Sequence, residues 1–328
     1  MKIVALKKVE KGILSYLDID SRTSFSRIGK KIRKSQQQVS YTVQSLKDKE
    51  ILKGFYTLMD YSKINYNLIL FRVYFKVIYT KEQTYENLIE YLKNDPHTGL
   101  IEECWGNYDL VTTYYAKNAS HFNKHIREVM EKFPKHLQNF SVLTTVVQRH
   151  FGRKYLNPKA TYDEIFVGGD RVPQKVEDID LKILNMISTN ARINSVEIAS
   201  ILDVTPKTII NRLKKLEEKE IILGYKPLIN IRNVGYYSNL LLIKYHNITA
   251  KTEKEFINYL KAHPSVISVI KTLGEWDIEI RIEIEDYNQI RKTEREIREN
   301  FGSMIQTIQN LPTHKIFKNN FFPSFLLE

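Results

Sequence analysis

Between residues 30 and 47 the chain gathers side chains suited to one kind of chemistry: Lys30, Lys31, Arg33 and Lys34, then Ser35, Gln36, Gln37 and Gln38, then Tyr41, Gln44 and Lys47. Lysine and arginine neutralise phosphates and release their counterions. A glutamine amide donates and accepts at once, so it can pair in two-pronged fashion with an adenine edge. The set reads as equipment for holding and reading a nucleic acid; the plainer alternative is a solvated polar surface. A second set, Thr205, Lys207, Thr208, Asn211, Arg212, Lys214 and Lys215, stands among Asp203, Glu217 and Glu218, which nearly cancel its charge. Residues 1–60 carry thirteen Lys and Arg against six Asp and Glu, whereas residues 178–230 carry eight against seven. More than half of the net charge of +12 therefore lies in the first sixty residues, and the first set is expected to contribute most of the affinity for a polyanion.

Such side chains act only when a rigid element presents them. Val39, Val43 and Leu46 recur at helical spacing, so a helix opens at Ser35 and turns Tyr41, Gln44 and Lys47 outward. Ser35 and Gln38 have the spacing of a capping box. Ahead of them, Ser24 caps a short helix that buries Phe25, Ile28 and Ile32, while Leu6, Val9, Ile13, Leu14 and Leu17 make one face of a first helix. Gly54 and an extended Phe55 to Met59 follow. Three short helices and an extended segment fit a winged helix-turn-helix, whose third helix lies in the major groove of duplex DNA.

The chain contains this pattern twice. Residues 13–66 overlay residues 183–236 without a gap, placing Arg22 on Arg192, Ile28 on Ile198, Leu46 on Leu216, Gly54 on Gly224 and Tyr66 on Tyr236. In the second copy Asn194 and Glu197 cap the second helix, and Thr205 with Pro206 opens the third. The match resumes at an offset of 168, with Pro96 on Pro264, Gly106 on Gly274 and Asp109 on Asp277. There the period changes. A strand over 68–78, a helix over 86–94, strands over 99–105 and 110–115, a helix over 119–133 and a strand over 137–150 give the order βαββαβ. Their counterparts are 240–245, 253–262, 266–272, 278–284, 287–300 and 305–317. The expected class is α+β, in two tandem units. Each is a winged helix-turn-helix (1–60 and 178–230) followed by a ferredoxin-like sandwich (65–150 and 236–323), and each is large enough to hold its own cores. Residues 151–177 hold Pro158, Gly168, Gly169 and Pro173 without a sustained period and are expected to be a linker.

This order of domains resembles the Lrp/AsnC (leucine-responsive, feast/famine) family of bacterial and archaeal transcriptional regulators. The resemblance covers nearly the whole chain, once per unit. It is carried by Asp178-Ile179-Asp180-Leu181-Lys182-Ile183-Leu184 with Asn190-Ala191-Arg192, by Leu216-Glu217-Glu218-Lys219-Glu220-Ile221-Ile222 running into Gly224-Tyr225, and by the turns Gly106-Asn107-Tyr108-Asp109 and Gly274-Glu275-Trp276-Asp277. Family members usually have Gly where Glu50 and Glu220 stand, and most carry one unit. The resemblance implies a sequence-specific regulator that binds double-stranded DNA in the cytoplasm, associates through its ferredoxin-like sheets, and binds an amino-acid effector near Gly106, Tyr108 and Asp109 and near Gly274, Trp276 and Asp277. A tandem chain could pair its own two sheets, giving a pseudo-symmetric dimer whose recognition helices face half-sites about one helical turn apart. The glycines would supply positive φ and the aspartates accept hydrogen bonds from turn amides, a local role that needs no effector.

Other chemistries are less well supplied. His121 and His125 are four apart on a predicted helix, with His97, His136 and His150 in the same domain. No Glu completes a His-Glu-x-x-His pattern and the second unit has no counterpart, so they read as surface histidines, with no metal or cofactor expected. The single cysteine, Cys104, excludes an internal disulfide or a thiolate cluster and reads as a buried strand residue. Sirohaem decarboxylases resemble this same arrangement, and their pockets would need His and Arg for propionate recognition and proton transfer. The candidates here, Arg72, Arg149, His150, Arg281 and His314, are scattered in sequence, so an enzyme is the alternative and no catalytic residue is assigned. An amino-acid sensor or assembly module without DNA binding would leave the basic N-terminal segment unexplained. No apolar run reaches the length of a membrane span and residues 1–17 lack a signal-peptide core, so a cytosolic protein is expected.

Overall fold

The computed structural model describes residues 3–78 and 82–328; expectations touching residues 1–2, the start of the first predicted domain, and 79–81 lie outside the described residues. Unit one runs α1 (Lys8–Ile19), α2 (Phe25–Ile32), α3 (Gln36–Asp48), β1 (Leu52–Met59), β2 (Ile69–Val77), α4 (Glu82–Asn94), β3 (Thr98–Cys104), β4 (Leu110–Ala116), α5 (Ala119–Lys132) and β5 (Leu137–His150). After β6 (Ile165–Gly168), unit two repeats the series as α6 (Asp178–Thr189), α7 (Ser195–Leu202), α8 (Pro206–Glu218), β7 (Ile222–Ile229), β8 (Tyr237–Tyr245), α9 (Ala250–Ala262), β9 (Val266–Leu273), β10 (Ile278–Ile284), α10 (Asn288–Phe301) and β11 (Ile305–Asn319). The chain is an α+β protein of two tandem units; α4 and α9 begin earlier than expected, at Glu82 and Ala250, while the four helices with predicted caps start where those caps place them. Ser24 accepts from Arg27 N, Asn194 from Glu197 N and Thr205 from Thr208 N, while Ser35 and Gln38 form a reciprocal box.

A fifty-residue three-helix module buries too little surface to stand well alone. The two helix-turn-helix modules solve this by sharing one core, contrary to the expectation of a core apiece. Ile13, Leu14, Leu17, Ile28, Val43 and Leu46 belong to the same apolar cluster as Ile183, Leu184, Ile187, Ile198, Leu213 and Leu216. The strand expected as each module's wing is paired with its counterpart. β1 and β7 run antiparallel with Tyr56 opposite Lys226, residues that the 170-residue offset also equates, so a pseudo-two-fold axis passes between them. Arg22 and Arg192, another equated pair, clasp the modules. Arg22 donates to the Tyr225 hydroxyl and the Ile193 carbonyl, and Arg192 to the Ser21 and Thr23 carbonyls. Val9, expected inward, is 36% exposed.

The ferredoxin-like halves also close on each other. Within a unit the strand order is β5-β2-β4-β3 or β11-β8-β10-β9. The long β5 continues from β2 onto β9, and β11 from β8 onto β3, giving a closed ring of eight strands. Thr145 opposite Thr272 and Cys104 opposite Thr313 are one contact related by the 168-residue offset. Helices α4 and α5 cover one core outside the ring and α9 and α10 another, while Tyr74, Cys104, Val111, Leu143, Leu240, Leu242, Trp276 and Leu311 form a core between the sheets. Residues 151–177 are not a free spacer. β6 pairs with the end of β5, and Phe151, Leu156 and Val167 are buried, because isolated apolar residues dock on existing cores without needing a period of their own. At the C-terminus Phe322 enters the helix-turn-helix core and Phe325 a neighbouring one.

Candidate nucleic-acid interface

Gln36, Gln37 and Tyr41 stand exposed on α3, Tyr41 at 78% of its surface, and make no side-chain hydrogen bond among the described residues. Lys30, Lys31, Arg33 and Lys34, in the last turn of α2 and the turn after it, are exposed and enter no ion pair among the described residues. Arg33 holds φ of 56°, which bends the chain sharply between the two helices. Other members of the predicted set are partly engaged. Ser35 Oγ accepts from Gln38 N at 3.1 Å and Gln38 Oε1 from Ser35 N at 3.1 Å, so both support the helix start. Gln44 donates to Asp48 Oδ1 at 2.8 Å, and the Lys47 ammonium lies 5.7 Å from the centre of the Phe55 ring.

The corresponding surface of unit two differs. Arg212, predicted to contact DNA, is half-buried and donates to Asp180 Oδ1 and Glu177 Oε2, each at 3.0 Å. Acidic residues at the start of α6 take it, a partner that its own helix does not reveal. Lys214 lies 3.6 Å from Glu218, and Thr205 and Thr208 bond each other at 2.9 Å. Lys207, Asn211 and Lys215 remain exposed. Where unit one presents Ser26, Lys31 and Ser40, unit two presents Val196, Ile201 and Ile210, each more than half exposed. The two recognition helices share a fold and not a surface.

At the turns, Gly106 and Gly274 adopt φ of 118° and 142°, as expected. Their aspartates accept from neighbouring strands and not from turn amides. Asp109 takes Val77 N at 2.8 Å and Lys76 Nζ at 3.2 Å; Asp277 takes Tyr245 N at 2.7 Å and Lys244 Nζ at 3.2 Å. Tyr108 donates to Glu275 at 3.2 Å and packs, with Trp276, in the core between the sheets.

Between the β1/β7 pair and the strand ring lies a cavity of about 990 Å³. It gathers Arg72, His150, Arg281 and His314, which sequence alone left scattered; Arg149 lines a separate space of about 280 Å³. Three of its four arginines are already closed by carboxylates: Arg72 by Glu279 at 2.7 and 2.9 Å, Arg281 by Glu102 at 2.7 Å, and Arg153 by Asp18 at 2.8 Å and Glu283 at 2.9 Å. Arg232 keeps a buried Nη1 without a partner. Burial, then the nearby Lys226, Arg281 and Arg153, push His150 down to about 3, so it is neutral at pH 7. The histidines read as surface groups are not all on the surface. His97 is buried, His121 and His125 are half-buried, and their rings converge.

A model of the winged helix-turn-helix DNA-binding family matches residues 176–222, the second module. The regulator Ptr1 of Methanocaldococcus jannaschii is 36% identical over 102 residues, 31% of this chain and 68% of that protein. The leucine-responsive regulatory protein of Haemophilus influenzae is 24% identical over 119 residues, 36% of this chain and 71% of that protein. Among solved structures, the siroheme decarboxylase NirDL superposes with a TM-score of 0.59 over 96% of this chain and 93% of its own at 14% identity, a likeness of fold. The chain belongs to the Lrp/AsnC family of transcriptional regulators, in a form that carries two units in one polypeptide. No helix among the described residues is long and apolar enough to cross a membrane.

Proposed function

We propose that the chain is a sequence-specific regulator of double-stranded DNA and that its two recognition helices contribute unequally. The observation that carries this reading is the α2–α3 surface: Lys30, Lys31, Arg33 and Lys34 have no protein partner among the described residues, beside exposed Gln36, Gln37 and Tyr41. Free cations fix a protein on the phosphate backbone, and amides at the start of a groove-bound helix read base edges. In unit two Arg212 is taken by Asp180 and Glu177, and three aliphatic side chains are exposed, so α8 serves register and pseudo-symmetry more than affinity. Pairing of the sheets within the chain takes the place of a dimer of separate chains. An amino-acid effector is the weaker half of the reading, because Asp109 and Asp277 are engaged and an effector at these turns would meet backbone and the Tyr108 and Trp276 rings.

The decarboxylase alternative draws on the likeness of fold and on the cavity that collects Arg72, His150, Arg281 and His314. It is less well supported, since a tetrapyrrole's carboxylates would reach Arg72 and Arg281 only by displacing Glu279 and Glu102, which leaves Arg232 as the one lining arginine without a carboxylate among the described residues. Selection from a pool of random DNA duplexes, followed by titration of the winners against salt, tests the primary reading. An enriched pseudo-palindrome with a steep salt slope supports it. No enrichment, together with saturable binding of an iron porphyrin carboxylate, would replace it with the enzyme.

A further inference from the structure

Unit one carries a side-chain group that unit two lacks. His97 precedes β3, and His121 and His125 stand one turn apart on α5; at the 168-residue offset their counterparts are Ser265, Gln289 and Thr293. One nitrogen from each of the three rings lies within 4.8 Å of the others. His121 Nε2 and His125 Nε2 are 3.3 Å apart. Two nitrogens each ~2.0–2.1 Å from a tetrahedral zinc ion stand about 3.3 Å from one another. We infer that His97, His121 and His125 form a site for one divalent transition-metal ion of the zinc class, with a fourth position left to water.

The outer ring nitrogens support this assignment. His97 Nδ1 lies 3.3 Å from the Tyr115 carbonyl oxygen, which can only accept, so the proton is on Nδ1 and the Nε2 lone pair is free. His125 Nδ1 lies 3.5 Å from a Glu128 carboxylate oxygen. Carbonyl and carboxylate partners of this kind orient metal-ligating histidines. His121 must adjust: its Nδ1 accepts from Lys117 N at 3.2 Å, which puts its proton on Nε2. Binding moves that proton to Nδ1, breaks the Lys117 bond and turns the His97 ring out of its packing on His125, where the ring centres are 3.5 Å apart. Phe325 stacks on His97 at 4.4 Å and covers one side of the group. Its neighbours Phe322 and Leu326 pack in the helix-turn-helix core, so an occupied site would steady the C-terminal segment against the module that bears α3.

The test needs no DNA and is independent of the regulatory reading. The full chain, freed of metal by chelation, is titrated with Co²⁺ and followed by its visible ligand-field absorption, and Zn²⁺ is then added in competition. The expected result is saturation at one equivalent, displacement by Zn²⁺, and at least ~10-fold weaker binding in both H121A and H125A, whose partly exposed helical positions tolerate alanine. Circular dichroism establishes that the variants fold. Absence of a saturable spectrum overturns the site and leaves the rings as a packed aromatic group. Equal affinity in the wild type and both variants overturns it too, by placing the metal elsewhere.

Discussion

Removing Arg72 should cost far more than removing Arg72 and its partners together. Arg72 and Glu279 sit inside the strand ring with 2% and 1% of their side-chain surface exposed, joined by two hydrogen bonds and by Tyr74, whose hydroxyl also donates to Glu279. The 168-residue offset equates Arg72 with Leu240, Glu279 with Val111 and Tyr74 with Leu242, all fully buried in the same inner core. The same architecture is therefore built apolar on one side of the pseudo-axis and ionic on the other. Arg72→Leu strands a buried carboxylate and should cost about 3–5 kcal/mol, whereas the triple change Arg72→Leu, Tyr74→Phe, Glu279→Val should be neutral or up to ~4 kcal/mol more stable. Including Tyr74→Phe avoids leaving a buried hydroxyl unpaired, itself worth ~1–3 kcal/mol. With a urea m-value near ~3 kcal/mol/M, the single variant should lose more than ~1 M in midpoint. Urea unfolding followed by circular dichroism and tryptophan fluorescence gives both numbers. A single variant within ~1 kcal/mol of wild type, or a triple variant as unstable as the single, would refute the argument.

Three further outcomes follow from the surfaces and the cavity. Replacing Lys30, Lys31, Arg33 and Lys34 by serine should lower the magnitude of the log-affinity slope against log salt by up to ~3.6, while changing Lys207, Lys214 and Lys215 should lower it by less than ~1; equal losses would sink the asymmetry. Gln37→Ala or Tyr41→Ala should remove ~1–3 kcal/mol of discrimination at one base position and leave the salt slope unchanged, as read by repeating the selection with the variant. His150 faces Lys226, Arg281 and Arg153, with Asp18 opposing them, and titrates near 3 in the folded chain against ~6.5 unfolded. Its folded value is depressed, so its contribution is complete above pH ~6.5 and lost as pH falls towards 3. Between pH 7 and 5 this amounts to ~2 kcal/mol, and His150→Gln should lose about that much less over the same interval; an unchanged pH dependence in urea midpoints would show that His150 does not titrate as argued.

Features set by near neighbours were readable in the sequence. The caps at Ser24, Ser35, Asn194 and Thr205 depend on residues three positions away, and the strand 278–284 follows from alternation alone. Partners distant in sequence were not readable. Nothing in residues 52–59 says that their strand pairs with residues 222–229, and Arg212 looks like a free cation until α6 brings Asp180 beside it. The histidine group shows both cases. His121 and His125 announce themselves by helical spacing, whereas His97 joins them only because β3 pairs with β4 and sets its start near α5. The repeat also holds a long-range signal, since Arg22 and Arg192, equated by the 170-residue offset, are the side chains that clasp the two modules.

The uneven placement of buried charge also explains why the two units pair with each other. If two copies of unit one met through the same ring, Arg72 would face Val111 and Glu102 would face Thr113; if two copies of unit two met, Glu279 would face Leu240 and Arg281 would face Ile270. Each homotypic ring buries charges without partners, at several kcal/mol apiece, while only the mixed ring satisfies Arg72 with Glu279 and Arg281 with Glu102. An apolar ring could be as stable, so these ion pairs act on specificity more than on stability. Joining the units in one chain supplies the high effective concentration that favours the mixed ring within a chain, and the ion pairs keep either unit from pairing with its own kind on a second molecule. The consequence for recognition is direct. A chain that always presents one α3 and one α8 can evolve different surfaces on the two, and the exposed cations on one side with exposed aliphatics on the other are what such freedom permits.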